Sequence, residues 1–362
     1  MLLSVESFPQ TSKVIKARIA IVVLVVAVVF GQQTSAQQNL TFSLLTRYFE
    51  SLREQAGIPA LSGVVMQGNN PVPAFRFQSG KQDVDANLPA TTDTPYYIGG
   101  VSQVLSSALL LRRCVEDSYL RVSDRVQRWD PMFGEPQTTV RDLLTHTAPG
   151  GSYQFDLGRY SELAPVVNQC ASDQYRRLLA TVIFEPNVMT RSVPDAGAAV
   201  ATAENLRLFN AATIDGYATT VRSVATPYRV AGGRITRSDF SAASLDRSMG
   251  VISTAEDLGR FDYALTHGLL QSATRAAAWS RSSTTPLGLG WFVQTYNNEQ
   301  VVWQFGLIRD AYSSLIVKLP QRDVTLILLA NTDGLSAPFA LENGDVTTSV
   351  FAKTFLRLVT GS

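Results

Sequence analysis

Apolar residues recur along this chain with two different spacings, which predict its helices and strands. Helical spacing over Thr41–Gln55 predicts an amphipathic helix before Gly57 and Pro59. Short apolar runs between turn residues predict two early strands and four late ones. The predicted strands are Leu61–Gln67, Ala74–Gly80, Leu289–Thr295, Gln300–Gln304, Tyr312–Lys318 and Val324–Ala330. Asn297-Asn298 is a favoured hairpin turn between the third and fourth of these.

Two further helices complete this pattern. Val104–Leu120 is apolar on most sides, which predicts a buried helix, and a closing helix is expected at about Asp345–Leu358. The order of elements predicts an α/β (α+β) fold whose antiparallel sheet is built from both termini and flanked by helices. We expect one domain over 37–362. Its α/β part covers about 37–119 and 246–362, and a helical subdomain covers about 120–245.

The N-terminal segment has the pattern of an export signal. Lys13, Lys16 and Arg18 precede the uninterrupted apolar run Ile19–Phe30. At about 1.5 Å per residue, this run is too short to cross the roughly 30 Å hydrocarbon core of a bilayer. We predict a signal peptide over 1–36, cut after Ala36, and therefore a secreted or periplasmic protein. The alternative is an uncleaved segment that anchors the chain in the membrane.

Composition narrows the class of protein. Lys+Arg 31 against Asp+Glu 30 leaves no excess charge for nucleic acid, and only an uncleaved N-terminal segment would bring the chain to a membrane. Two histidines and two cysteines show no metal-ligand spacing, so we expect neither metal nor cofactor. Export would permit a disulfide between Cys114 and Cys170, although two buried free thiols are the favoured interpretation.

Six segments, taken in order, carry a family resemblance. They are Tyr97–Gln103, Leu120–Val126, Val140–Thr147, Ile183–Pro186, Gly250–Leu258 and Gly288–Trp291. Their order and spacing resemble the serine β-lactamase and D-alanyl-D-alanine peptidase family of the class C, penicillin-binding-protein-like type, over nearly all of 41–358. The resemblance implies a β-lactamase/transpeptidase-like fold, with a site between the sheet and the helical subdomain.

The first catalytic motif of that family is altered in this sequence. The family places a nucleophilic serine three residues before a lysine on one helix face, and the lysine helps to activate the serine. The matching positions are Gly100 and Gln103. After residue 36 the chain has three lysines, and none of them stands three residues after a serine. They are Lys81, Lys318 and Lys353.

The two remaining motifs are altered as well. Where the family has a tyrosine and an amide or serine two residues later, this chain has Phe155 and Leu157, with Tyr153 or Tyr160 as the alternative tyrosine. Where the family has a lysine or histidine two residues before a glycine, Gln304 precedes Gly306. Glutamine forms hydrogen bonds but carries no charge. His146 matches a position that is usually structural in the family.

These changes favour an exported pseudoenzyme that keeps a cleft for binding or scaffolding. A serine hydroxyl needs a neighbouring base to act as a nucleophile, and here both groups are replaced. The alternative is a β-lactamase, D-alanine peptidase or esterase that works with other residues of the cleft. The Gly100 N–H remains, which implies that a D-alanyl peptide or a β-lactam-like ligand is held without covalent attack. The sequence identifies no protein partner.

Overall fold

The computed structural model describes residues 40–245 and 248–361, so the predicted signal peptide over 1–36 lies outside the described residues. Residues 40–55 are helical and are called α1. Residues from Phe49 onward form one compact unit, which is distinct from the unit that contains residues 40–48.

The remaining α-helices are α2 Ser102–Leu110, α3 Val140–Leu144, α4 Leu157–Ser161, α5 Leu163–Cys170, α6 Tyr175–Leu178, α7 Asn205–Leu208, α8 Ala211–Arg222, α9 Ala255–Ala264, α10 Ser272–Ala278 and α11 Val350–Thr360. The strands are β1 Ala60–Gln67, β2 Phe75–Asp83, β3 Leu88–Pro89, β4 Tyr96–Tyr97, β5 Tyr228–Ala231, β6 Arg234–Arg237, β7 Ile252–Ser253, β8 Phe292–Tyr296, β9 Glu299–Ile308, β10 Tyr312–Leu319 and β11 Val324–Ala330.

One antiparallel sheet of seven strands organises the fold. Its strand order is β3-β2-β1-β11-β10-β9-β8, and β1 pairs with β11 so that Leu61 lies opposite Ala330. The predicted sheet built from early and late strands is therefore confirmed. Strands β10 and β11 are buried along their whole length, as expected where both faces of a sheet are covered.

Local chemistry explains where several elements begin and end. Asn297 and Asn298 adopt left-handed φ angles of 48° and 61°, which confirms the predicted hairpin turn between β8 and β9. Strand β8 starts at Phe292, later than predicted, because Gly290 just before it has a φ of 83°. The last helix starts at Val350, where the Ser349 side chain accepts a hydrogen bond from the Ala352 N–H.

A disulfide joins the buried central helix to α5. Helix α2 continues through a wider turn over Leu111–Val115, which brings Cys114 to Cys170 with their Cα atoms 5.8 Å apart. The interpretation of two free thiols is therefore wrong. Sequence spacing could not reveal the pairing, because it depends on how α5 packs against the end of α2.

The middle of the chain contains most of the short helices. Helices α3 to α8 and the two-stranded ribbon β5–β6 all lie within 120–245, while the division into an α/β part and a helical subdomain stays a prediction. Within 40–245 and 248–361, no helix combines the length and the apolar character required to span a bilayer. The same residues contain no group of histidine, cysteine and acidic side chains arranged to hold a metal ion.

Candidate active site

The segment just before α2 is held tightly against strands β9 and β10. The Ile98 N–H donates to the Val251 carbonyl at 3.0 Å, and the Ser314 hydroxyl donates to the Ile98 carbonyl at 2.7 Å. A side chain on Gly306 would collide with that same Ile98 carbonyl and with the Ser314 hydroxyl. Glycine at 306 is therefore required by the close approach of two backbone segments.

Gly100 leaves no room for the nucleophile that the family resemblance implies. A Cβ atom built on Gly100 would lie 2.6 Å from the Phe305 carbonyl oxygen, and Gly100 is buried. The space in which a serine side chain would begin is therefore occupied by the backbone of β9. The chain lacks the hydroxyl group, and a side chain could begin at residue 100 only if this backbone shifted.

Gln103, at the lysine position, forms a buried hydrogen bond with His146. The Gln103 Oε1 and His146 Nε2 atoms are 2.8 Å apart, and the Asp156 N–H donates to His146 Nδ1 at 3.0 Å. Because Nδ1 accepts, the imidazole proton lies on Nε2 and is donated to Gln103. The Gln103 Nε2 group is buried and has no hydrogen-bond partner among the described residues.

His146 is neutral and structural in this arrangement. It is 1% exposed, and burial lowers the pKa of its imidazole to about 3. Both ring nitrogens are occupied by hydrogen bonds, so His146 has no free lone pair with which to act as a general base. The geometry agrees with the structural role expected from the sequence, and it adds Gln103 as the hydrogen-bond partner.

An aromatic cluster lies around strand β9, next to His146. Phe155, which is half-buried, packs on Phe305 at 5.2 Å and on His146 at 4.6 Å between ring centroids. Phe292 lies 6.0 Å from Phe155 and 4.3 Å from Trp303. These four rings, Phe155, Phe292, Trp303 and Phe305, are called the aromatic cluster, and their faces and edges pack against one another.

The alternative tyrosines have other partners. The Tyr160 hydroxyl donates to the Gln103 carbonyl at 2.9 Å, and burial raises the pKa of this phenol well above its usual value. The Tyr153 hydroxyl donates to the Glu342 carbonyl. The Phe155 ring packs directly on β9, and its assignment to the tyrosine position stays a prediction. Leu157 lies at the start of α4, half-buried, outside these contacts.

Gln304, at the position that matches the family's lysine or histidine, uses its side-chain amide for hydrogen bonds within the protein. Its Oε1 accepts from the Phe305 N–H at 2.9 Å, and its Nε2 donates to the Gly290 carbonyl at 3.1 Å. The lysines of the described residues lie elsewhere, since Lys318 is buried against Asp262 at 3.1 Å and Lys81 and Lys353 are exposed. None of these three supplies the missing amine.

The structure brings Gly100, Gln103, Phe155, Gln304 and Gly306 together through these contacts. Sequence reasoning did not find the aromatic cluster, although one signal was present: Trp303 and Phe305 alternate along a single strand. The sequence also gave no sign that His146 bonds to Gln103, since these residues are 43 positions apart.

Restoring a serine at position 100 should destabilise the protein without creating activity. We expect Gly100→Ser to lower the free energy of unfolding by about 1–3 kcal/mol, because overpacking against the Phe305 carbonyl forces the backbone to shift. Gly134 is the matched control, because it is exposed and no atom among the described residues comes within 4 Å of a Cβ built there. Chemical denaturation of both serine variants measures the difference. A Gly100→Ser protein as stable as the Gly134→Ser protein would contradict the filled cleft.

A family model described as Beta-lactamase matches residues 45–347. No curated protein matches the sequence significantly. The octameric penicillin-binding protein homologue from Pyrococcus abyssi is 17% identical, with a TM-score of 0.68, over 88% of this chain and 77% of that one.

Two further solved structures are similar along almost their whole length. The D-amino acid amidase from Ochrobactrum anthropi SV3, complexed with D-phenylalanine, is 15% identical with a TM-score of 0.68, over 90% of this chain and 99% of that one. The class C beta lactamase from Rhodobacter sphaeroides is 18% identical with a TM-score of 0.63, over 88% and 99%. At these identities the likeness shows the shared fold.

Proposed function

From the premise that this chain belongs to the β-lactamase family, we propose that it is an exported member that has lost the acyl-transfer reaction and acts by binding or scaffolding. The observation that carries the proposal is the filled position beside Gly100. A covalent mechanism needs a nucleophile within reach of a base, and here a glycine faces a backbone carbonyl and a neutral amide. The aromatic cluster and the internally bonded Gln304 support the same conclusion.

A test of acylation separates the pseudoenzyme from an unconventional hydrolase. We expect the purified full chain to turn over neither a chromogenic cephalosporin nor a short-chain nitrophenyl ester, and to form no adduct with a fluorescent penicillin. Ser102 is the informative control residue, because its hydroxyl is buried near the start of α2 without a partner among the described residues. Turnover that disappears in Ser102→Ala, or a stable drug adduct by intact mass, would support the hydrolase and refute the proposal.

Non-covalent binding in the cleft is a second part of the proposal. A D-alanyl peptide or a β-lactam-like molecule held at the Gly100 N–H would have to displace the half-buried Phe155 ring. Aromatic packing of this kind is worth about 0.5–1.5 kcal/mol beyond the area that it buries, so we propose that such binding is weak. The melting temperature measured with and without these ligands tests it, since an unchanged value at roughly millimolar ligand would exclude the site.

Export is proposed from the N-terminal pattern and is supported by the disulfide. Disulfides between structural cysteines persist in oxidising compartments and are rare in reducing ones. Cys114 and Cys170 are both buried and joined, which suits a protein that folds outside the cytoplasm. A secreted or periplasmic pseudoenzyme would meet its partner there.

A further inference from the structure

One asparagine of this chain is followed directly by a glycine. The pair is Asn343-Gly344, in the segment 340–345 between β11 and α11, and every other asparagine in the sequence precedes a residue with a side chain. Because glycine has no Cβ atom, nothing shields its backbone nitrogen from the side-chain carbon of the residue before it. Asn343 is therefore the asparagine whose side chain the following backbone nitrogen reaches with the least hindrance.

The local structure leaves both reacting groups within reach of each other. The Asn343 side chain is exposed, and its amide has no hydrogen-bond partner among the described residues. The Gly344 N–H donates to the Leu341 carbonyl at 3.0 Å, which closes a single turn at the surface. Such a turn opens at a small fraction of the free energy of global unfolding. Opening frees the Gly344 nitrogen, and the unbonded amide can then rotate toward it.

The reaction that this arrangement permits is deamidation. The Gly344 nitrogen loses its proton to hydroxide and bonds to Asn343 Cγ, and the C–N bond of the amide breaks as ammonia leaves with a proton from water. Water then opens the cyclic imide at either carbonyl, which gives aspartate or isoaspartate. One water is consumed and one ammonia is released in total, so the reaction needs no other reactant. Either product adds a negative charge to the surface.

The contacts around this pair connect it to the cleft. A Cβ atom built on Gly344 would lie 2.5 Å from Pro286 Cβ and 3.8 Å from Phe292 Cδ1, which belongs to the aromatic cluster. The carbonyl of Glu342 accepts a hydrogen bond from the Tyr153 hydroxyl. In isoaspartate the backbone runs through the side chain and gains one carbon between these two contacts. Packed contacts respond to a single added methylene, so both cannot keep their present geometry.

Gly344 is the better anchored side of the modified link. The Gln294 side chain accepts from the Val346 N–H at 2.8 Å and donates to Asp345 at 3.2 Å, which holds the residues that follow Gly344. The Glu342 carbonyl has one such contact, the Tyr153 hydroxyl. The added carbon therefore displaces the Glu342 carbonyl and breaks its hydrogen bond with Tyr153.

We propose that Asn343 is a site of spontaneous deamidation, and that its isoaspartate product releases the segment 147–155 from the segment 340–345. The released segment carries Phe155, the half-buried ring that packs on β9. Deamidation thus alters access to the cleft slowly and without reversal, because the ammonia is lost. The assignment rests on the chemistry of one surface turn, so it holds or fails separately from the proposed loss of acyl transfer.

Peptide mapping by mass spectrometry of aged protein tests the site. The full chain is kept in warm buffer at neutral and at mildly alkaline pH, and replacement of each asparagine amide by a carboxyl group is followed over time. We expect conversion of Asn343 that is faster at alkaline pH, because the Gly344 nitrogen must lose its proton. Asn298 is the internal control, since it is exposed and without a hydrogen-bond partner among the described residues but precedes Glu299. It should react about tenfold more slowly, a barrier difference of about 1.4 kcal/mol.

Matched variants connect the modification to its structural effect. Glutamine at position 343 would have to form a larger ring, so Asn343→Gln should stay unmodified, whereas Asn298→Gln should age like wild type. Hydrogen exchange over 147–155 measures the release. We expect exchange there to become about tenfold faster in aged wild type and aged Asn298→Gln, and to stay unchanged in aged Asn343→Gln. Asn343→Asp adds the charge without lengthening the backbone, so its exchange should match that of fresh wild type.

Three results would overturn the assignment. The first is an unmodified Asn343 in aged protein when a synthetic peptide spanning 340–346 deamidates under the same conditions, which would mean that the turn stays closed. The second is conversion of Asn298 as fast as that of Asn343. The third is an isoaspartate form, separated by ion exchange and identified by isoaspartyl methyltransferase labelling, whose hydrogen exchange over 147–155 equals that of unmodified protein.

Discussion

Acidification should destabilise this protein through His146, by about 1.4 kcal/mol for each pH unit between about 6.5 and the lowered pKa of this residue. Burial lowers the pKa of the folded imidazole to about 3 from its ordinary value of 6.5. Between these two values the unfolded chain binds the proton and the folded chain does not. The free energy of unfolding is therefore fully retained above about pH 6.5 and falls as the pH decreases.

The chain contains its own control for this effect. It has two histidines, and His267 is exposed at the end of the turn after α9. Denaturant unfolding of wild type, His146→Gln and His267→Gln should be measured at neutral pH and about two units lower. We expect wild type and His267→Gln to lose about 2 kcal/mol more over that range than His146→Gln, in which this buried imidazole is absent.

Comparing the variants separates the effect of His146 on stability from that of the carboxylates, which also bind protons on acidification. Each protein is compared with itself at neutral pH, so a loss of stability caused by the substitution does not affect the result. Equal pH dependence in all three proteins would mean that His146 is already charged or accessible to water. The hydrogen bond that His146 Nδ1 accepts from the Asp156 N–H would then be wrong, because a protonated imidazole has no acceptor nitrogen.

Much of the fold could be predicted because the relevant signals are local. The turn at Asn297-Asn298 and the strands around it follow from residues that lie next to each other in the sequence. Pairing between β1 and β11 could be proposed only from the order of elements, since more than two hundred positions separate the partners. Strand β8 and helix α11 begin later than predicted. Gly290 has a left-handed φ angle just before β8, and the Ser349 side chain caps the first turn of α11.

The candidate site was harder to predict because its defining distances join remote segments. The sequence places Gly100 and Gln103 on one helix, but the carbonyl that fills the space beside Gly100 belongs to Phe305. A motif comparison detects that a serine is absent and does not detect that its space is occupied. In the same way, Cys114 and Cys170 are separated by 56 positions, and only the packing of α5 brings them together.

Loss of the Cys114–Cys170 bond should lower the free energy of unfolding by about 4 kcal/mol, because a cross-link over this separation restricts the unfolded chain strongly. The bond joins the end of the helix that carries Gln103 to α5, and both cysteines are buried. Denaturant unfolding should be measured for wild type and for the double variant Cys114→Ala/Cys170→Ala, each with and without a reducing agent. The reductant should shift the wild-type transition toward that of the variant and leave the variant unchanged.

The result also distinguishes the disulfide from simple packing of two small buried side chains. Alanine at both positions removes two sulfur atoms from the core. This loss of packing alone lowers the free energy of unfolding by on the order of 1 kcal/mol for each substitution. The reductant-dependent part of the wild-type transition therefore measures the cross-link itself. Alkylation of two free thiols in protein that was never reduced would contradict the bond, and would remove one support for export as well.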